Sequence, residues 1–263
     1  MRFDIYLTER SLAKSRERAK SMIKSGSVKI NGKVCTKPAA EVTDSDIIEV
    51  DDSSFDYVGR GLIKLETAFQ AFPLDIMDMV CADIGASTGG FTQYMLKRGA
   101  KLVYAVDVGH GQLDESLVSD DRVVNMEGVN ARYLTPKVFP VPIGFISVDL
   151  SFISLTQVMP ALVSCLGDGG KMAVLIKPQF EAGKAALNKK GIVRNKKDHL
   201  RVLSDLIRFF TDCGLSVKGI VPSEITGGDG NREYLAYLEK DEFSSAVSLD
   251  LKKLVESAFL VGE

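Results

Sequence analysis

Residues 83–92 read Asp83-Ile84-Gly85-Ala86-Ser87-Thr88-Gly89-Gly90-Phe91-Thr92 and follow directly on the apolar run Met79-Val80-Cys81-Ala82. Further on, a second apolar run, Leu102-Val103-Tyr104-Ala105-Val106, ends in Asp107. A strand, a glycine turn opening a helix, and a second strand ending in a carboxylate are the parts needed to hold a nucleoside cofactor. The turn lets the backbone approach the ligand, and the acid accepts hydrogen bonds from the two ribose hydroxyls. A dinucleotide fingerprint wants glycines at the first, third and sixth positions, so that a pyrophosphate can rest on the helix N-terminus. Here Ser87 stands where the second glycine belongs, which weakens the dinucleotide reading and leaves it open. S-adenosylmethionine carries no phosphate and asks for room over the turn and for Asp107 at its ribose.

Outward from this turn, the sequence alternates between strand and helix patterns from about residue 60. Strands are expected near 79–84, 102–107, 123–127, 143–149, 171–177, 215–221 and 233–239, and helices near 61–72, 88–99, 153–166 and 198–213. The alternation predicts an α/β fold with a doubly wound, mostly parallel sheet. Only residues 222–232 separate the last two strands, too few for a helical crossover, so they are expected to pair antiparallel. Seven strands finishing in such a hairpin favour the methyltransferase variant of the Rossmann architecture.

The first fifty residues read as a separate small α+β unit. Helices are expected over 2–8 and 15–25, with Ser15 as an N-cap and Gly26 as the C-terminal stop. Val28-Lys29-Ile30, Asn31-Gly32, Lys33-Val34 is a hairpin signal, because Asn-Gly takes the positive φ values of a tight turn. Ile47-Ile48-Glu49-Val50 reads as a closing strand. The expected organisation is a head at 1–50, a polar linker at 51–59, a catalytic body at 60–240 and a helical tail at 241–263.

Hydrophobic content of 45% and charged content of 26% over 263 residues fit an ordinary soluble protein. Cys35, Cys81, Cys165 and Cys213 show no Cys-x-x-Cys spacing, so neither a disulfide framework nor a zinc site is expected, and no metal. No apolar stretch is long enough to span a bilayer and Met1-Arg2-Phe3-Asp4 does not begin a secretion signal, so a cytoplasmic protein without a membrane partner is expected. The net charge of −2 hides an asymmetry: residues 1–37 hold ten Lys/Arg against three acids, and residues 38–58 hold seven acids and no Lys or Arg. The basic head points to a polyanionic partner.

Taken together, the chain resembles the TlyA family of ribosomal RNA 2′-O-methyltransferases, also named as hemolysins. In the head, Arg2-Phe3-Asp4, Ser15-Arg16, Ala19, Ile23, Gly26, Val28 and Asn31-Gly32 resemble the RNA-binding module named for ribosomal protein S-four. In the body, 59–65, 83–92, 106–113, 149–153, 176–181 and 230–234 are similar to FtsJ-type methyltransferases. The resemblance implies S-adenosylmethionine as cofactor, ribosomal RNA within ribosomal subunits as partner, and a Lys-Asp-Lys-Glu catalytic set matched here by Lys64, Asp149, Lys177 and Glu233. On the cofactor side the expected contacts are Asp83, Gly85, Ser87, Thr88, Gly89, Gly90, Phe91 and Asp107, with Asn130 at the adenine. The short run ahead of the first helix favours modification of the large subunit alone.

The chemistry suits this set. A ribose hydroxyl is a poor nucleophile, while a methyl on sulfonium is already activated, so the task is in-line positioning and proton removal. Burial and a neighbouring cation both favour the neutral amine of a lysine, the form that can accept a proton. Lys177 is the expected base, with Asp149, Lys64 and Glu233 orienting it and the hydroxyl. Asp149 and Lys177 each follow an apolar strand, at the carboxyl edge where ligands bind in such sheets. Methylation of an exocyclic amine fits less well, because Asp149-Leu150-Ser151-Phe152 replaces the Asn/Asp-Pro-Pro-aromatic loop. Methylation at a pyrimidine carbon lacks a nearby cysteine nucleophile. His110 near Asp107 reads either as a cofactor contact or as a helix-entry or surface residue, and His199 at a helix start reads as structural. Lys184, Lys189, Lys190, Arg194, Lys196 and Lys197 crowd the segment after strand five, and a role against RNA phosphates is expected for them. The rival readings are a membrane-lysing or non-catalytic RNA-binding protein, and an NAD-linked oxidoreductase with an RNA-binding head.

Overall fold

The computed structural model describes residues 1–13, 16–24, 26–50, 58, 61–227, 230–241 and 247–260. The expected N-cap Ser15 and, apart from Val58, the linker 51–59 lie outside the described residues. Two compact units divide the chain, Met1–Arg60 and Gly61–Glu263.

In the first unit, α1 (Phe3–Glu9) and α2 (Arg16–Lys24) accompany an antiparallel sheet of β1 (Val28–Ile30), β2 (Lys33–Val34) and β3 (Ile48–Val50), in the order β2-β1-β3. Asn31 and Gly32 have φ of 51° and 75°, the paired positive values that an Asn-Gly hairpin turn requires. Gly26, at φ 77°, ends α2, with its N–H on the Ile23 carbonyl and that of Ser27 on the Met22 carbonyl. Phe3, Leu7, Ala19, Met22, Ile23, Val28 and Val42 close a small core. Asp4, fully buried beside it, accepts from both Arg2 and Arg16 at 3.0 Å. The Arg2 guanidinium, aided by that of Arg16, pulls the Asp4 carboxyl down to about 2 against the cost of burial.

The second unit runs α3 (Gly61–Ala71), β4 (Val80–Ile84), α4 (Gly90–Lys97), β5 (Leu102–Asp107), α5 (Glu115–Val118), β6 (Val123–Glu127), β7 (Ile143–Val148), α6 (Met159–Cys165), β8 (Leu166–Ile176), α7 (Pro178–Glu181), α8 (Lys196–Asp212), β9 (Ser216–Pro222), β10 (Tyr234–Glu239) and α9 (Leu251–Leu260). The sheet order is β6-β5-β4-β7-β8-β10-β9. Strands β4 to β8 pair parallel, and β10 runs antiparallel to both β8 and β9. The direction of winding reverses between β4 and β7, which makes their carboxyl ends the switch point where such sheets take ligands.

Two expectations shift. The helix expected over 153–166 splits into a 3₁₀ turn, Leu155–Gln157, and α6. Pro160 in the first turn of α6 lacks an N–H and disfavours helical backbone just before it. Strand β8 pairs at Leu166, bulges, and resumes against β7 at Lys171, so the stretch expected from 171 is its continuous part. The tail, expected to be helical, holds α9, which packs on α8 and β9 with Val255 and Ala258 buried.

Candidate active site

Two chain segments meet at the switch point with almost no space between them. Gly85 leaves β4 at φ 86°, and a Cβ there would sit 2.2 Å from the Asp149 carbonyl oxygen. Only glycine permits that approach. Asp149 leaves β7 with its N–H bonded to the Ile84 carbonyl at 2.9 Å. The turn and Asp149 thereby share one cleft of about 490 Å³, lined also by Ser87, Asp107, Gln112, Asn130, Ser151 and Phe152. That volume is in the range of small-molecule sites.

Asp107 Oδ2 accepts from the Ser87 N–H at 2.8 Å and Oδ1 from that of Gly109 at 2.7 Å. The acid therefore ties the turn to the following loop, and each oxygen keeps a second lone pair for a ribose hydroxyl. Asn130 lines the cleft while capping a 3₁₀ turn, its Oδ1 accepting from the Arg132 N–H at 3.0 Å. The donor set fits S-adenosylmethionine: a turn with Ser87 in place of the dinucleotide fingerprint's second glycine, an acid at the second strand end and apolar walls from Val108, Val129 and Leu150.

The other residues expected on the cofactor side do not reach this wall. Asp83 is fully buried behind the turn, where it accepts from Thr92 Oγ1 at 2.7 Å and Ser147 Oγ at 3.0 Å. Desolvation pushes its carboxyl up to about 6 despite those bonds. The Thr88 carbonyl takes the Asp114 N–H. A Cβ on Gly89 would lie 2.2 Å from Leu117 Cδ1, so its φ of 93° serves packing against α5. Gly90 and Phe91 are buried in the first turn of α4. Asp83, Gly89, Gly90 and Phe91 thus lie buried behind the turn, while Thr88 is exposed on it.

At the rim stands a cluster of alternating charge. Lys177 Nζ lies 2.6 Å from Asp149 Oδ1 and donates to Ser151 Oγ at 2.9 Å. Lys177 and Asp149 thus form a close ion pair. Lys64 Nζ, from α3, donates to Glu233 Oε2 at 2.7 Å and lies 3.9 Å from Asp149 Oδ2. Gln179 Nε2 reaches Glu233 Oε1 at 3.4 Å. Two ammonium and two carboxylate groups at this depth compensate one another, as buried charges must. All four residues of the expected catalytic set are thus brought together, with Asp149 shared between cluster and cleft.

Glu233, 2% exposed at its side chain, is fixed by its neighbours. Asn231 bonds Val193 N and the Gly191 carbonyl at 3.2 and 3.1 Å. Arg232 donates to the Ala258 carbonyl at 2.9 Å and lies 4.2 Å over the Phe259 ring. Tyr234 Oη bonds His199 Nδ1 at 2.9 Å, and His199 Nε2 meets the Val193 carbonyl at 2.9 Å. Burial lowers the His199 pKa, in keeping with a neutral structural ring. His110 packs beside Gly128, outside the cleft wall. Lys184, Lys189, Lys190, Arg194, Lys196 and Lys197 are all exposed.

Sequence reasoning missed Ser151, Gln179 and Phe152. Phe152 has φ 64° and is 92% exposed, with its ring 5.2 Å from that of Phe180. A bulky residue held at positive φ is costly and concentrates at functional sites. Its place three residues after a strand-ending acid was the available signal. Among the described residues, no helix is long and apolar enough to cross a membrane.

Comparison with known proteins agrees with this geometry. The FtsJ-like methyltransferase family matches residues 57–240 and the S4 domain matches residues 1–48. YqxC of Bacillus subtilis, which carries an rRNA methyltransferase name, is 43% identical over 262 residues, covering 98% of this chain and 93% of its own. The 16S/23S rRNA (cytidine-2′-O)-methyltransferase TlyA of Mycobacterium tuberculosis is 41% identical over 252 residues, covering 95% and 94%. A solved Streptococcus thermophilus structure carrying the hemolysin name matches with TM-score 0.80 and 44% identity, over 99% of this chain and 96% of its own. The family match closes the NAD alternative that the glycine turn left open. The chain belongs to the TlyA family, which joins an S4 domain to an FtsJ-like, S-adenosylmethionine-dependent methyltransferase body.

Proposed function

We propose that this enzyme methylates the ribose 2′-hydroxyl of a cytidine in ribosomal RNA. The observation that carries the reading is the Lys64–Asp149–Lys177–Glu233 cluster, sharing Asp149 with the cofactor cleft. S-adenosylmethionine supplies a methyl group already activated on sulfonium. The chain's own residues then have two tasks, alignment of the hydroxyl and removal of its proton. Asp149, pressed against Gly85 on one side and Lys177 on the other, sets the distance between cofactor cleft and base. Lys177 Nζ, steadied by Ser151, takes the hydroxyl proton as the oxygen–methyl bond forms and the sulfur–methyl bond breaks. Lys64 and Glu233 hold the far side of Asp149 and orient the ribose.

The exposed Phe152 ring, backed by Phe180, offers the target base a stacking surface beside the cluster. Enzymes acting on one nucleotide take it out of its stack, and a base on an aromatic ring contributes about 1–3 kcal/mol. The test is methyl transfer from tritiated S-adenosylmethionine to ribosomal subunits, followed by mapping of 2′-O-methylated nucleotides in both large and small rRNA. Label should appear on cytidine ribose. Lys177→Ala and Asp149→Ala should each lower turnover by about 10²–10⁴-fold, the usual worth of a positioned acid–base group, while still binding cofactor. Label on a base, or near-wild-type labelling by both variants, would overturn the assignment.

A further inference from the structure

Strand β6 ends in a carboxylate that neither the cofactor fingerprint nor the catalytic cluster uses. Glu127 accepts three consecutive backbone N–H groups, from Gly111 at 2.9 Å, Gln112 at 2.6 Å and Leu113 at 3.1 Å. Those bonds, that of Gln112 foremost, pull its carboxyl down to about 2. Glu127 pairs directly with Asp107 across the parallel strands. Neighbouring strand ends therefore each present an acid to one loop: Asp107 takes the Gly109 N–H, and beyond His110 Glu127 takes the three that follow. The Gly128 N–H closes the loop onto the Gly109 carbonyl at 2.9 Å.

This bracing fixes one side chain with chemistry to offer. Gln112 lines the cofactor cleft. Its Nε2 occupies the space above Gly109: a Cβ on Gly109 would lie 1.9 Å from that nitrogen and 3.2 Å from Asp107 Oδ1. The amide is thus folded against the loop's own backbone, beside the acid that serves the ribose. A carboxamide there presents both a donor and an acceptor, which Asp107 alone cannot do. Three backbone amides converging on one carboxylate are a costly way to hold an idle surface loop, since each fixed residue gives up conformational freedom.

We infer that Gln112 is a second polar contact for the ribose–adenine half of S-adenosylmethionine, and that Glu127 is the positioning residue that sets it. The inference rests on the reading of the cleft as the cofactor site and adds to it a specific subsite. The glycine at 109 gives the sharpest handle. Its φ is not in the left-handed region, so Gly109→Ala leaves the backbone unstrained; it displaces the far end of Gln112 and asks Asp107 Oδ1, 3.2 Å from the added Cβ, to give by a few tenths of an ångström.

The test is calorimetric binding of S-adenosylhomocysteine to the full chain and to Gln112→Ala, Glu127→Gln, Gly109→Ala and the Gln112→Ala/Glu127→Gln double variant, with thermal unfolding of each. Each single variant should bind about five- to twentyfold more weakly, the worth of one hydrogen bond in a site. The double variant should bind no more weakly than Gln112→Ala alone, because Glu127 acts through Gln112. Donor KM in methyl transfer should rise more than turnover falls. Wild-type affinity in Gln112→Ala and Gly109→Ala would overturn the subsite. Additive losses in the double variant, or a loss in Glu127→Gln matched by a fallen melting temperature, would overturn the positioning role. No binding by the wild-type chain would instead sink the cleft reading itself, a result distinct from the others.

Discussion

Two aspartates of the glycine-turn region carry opposite burdens. Asp107 stands at the cleft with both oxygens on backbone N–H groups. Asp83, behind the turn and without solvent, is pushed up to about 6. Its folded value lies above the ordinary carboxylate value near 4, so between about pH 4 and pH 6 the native state binds a proton that the unfolded chain does not. This residue's contribution to stability therefore rises as pH falls through that window and is lost above pH 6. Asp83→Asn is neutral throughout and erases the dependence. Urea unfolding at pH 7.5 and pH 5 should show wild type gaining stability relative to Asp83→Asn at the lower pH, and a constant difference would contradict it. Asp149 and Lys177 were legible in the sequence because a charge at the end of an apolar strand is costly to keep there unless it is paired or put to use. Asp83 looked equivalent to them, since a sequence does not say which side of a turn a side chain takes. Phe152 was hidden for a related reason: its positive φ is set by how β7 hands over to the 3₁₀ turn, a tertiary matter.

Between elements, the informative joint is the run 231–234. Each residue beside Glu233 is held by a different part of the body: Asn231 by the 191–193 segment, Arg232 by the last turn of α9, and Tyr234 by His199 of α8. Helix α9 was expected only as a tail, because its pattern says that it is amphipathic and not where its apolar face lands. Its Phe259 ring meets Arg232 on one side and His199, at 5.1 Å, on another. Removing that ring loosens Arg232 and, through it, the backbone that carries Glu233. Misplacement of a catalytic group by a fraction of an ångström is costly, so Phe259→Ala should lower turnover by about tenfold. Cofactor binding, on the opposite side of Asp149, should hardly change. Steady-state kinetics beside calorimetry on the same preparations decides it, and equal losses in both would point to general destabilisation instead.

For the whole molecule, strand number and the closing antiparallel pair were readable, because a connection of 222–232 cannot hold a crossover helix. Strand order was expected only as far as the methyltransferase variant of the Rossmann architecture implies it, because which strands become neighbours is decided by tertiary packing. Charge was less readable. Several of the head's cations are already engaged: Arg2 and Arg16 share Asp4, Arg10 pairs with Asp44, and Lys29 with Glu49. The basic count of the head therefore overstates the charge it can offer to RNA. In the body, Lys184, Lys189 and Lys190 are exposed on the segment that Asn231 ties to the strand carrying Glu233, and we propose that they meet RNA phosphates. Each phosphate they neutralise releases a counterion, and binding weakens with salt in proportion. Lys189→Gln/Lys190→Gln in the full chain should raise KM for ribosomal subunits and leave S-adenosylhomocysteine affinity intact. The slope of log affinity against log salt should flatten by about 0.7–0.9 for each phosphate that is no longer neutralised. An unchanged slope would place the body's phosphate-binding cations elsewhere and return this segment to the solvent.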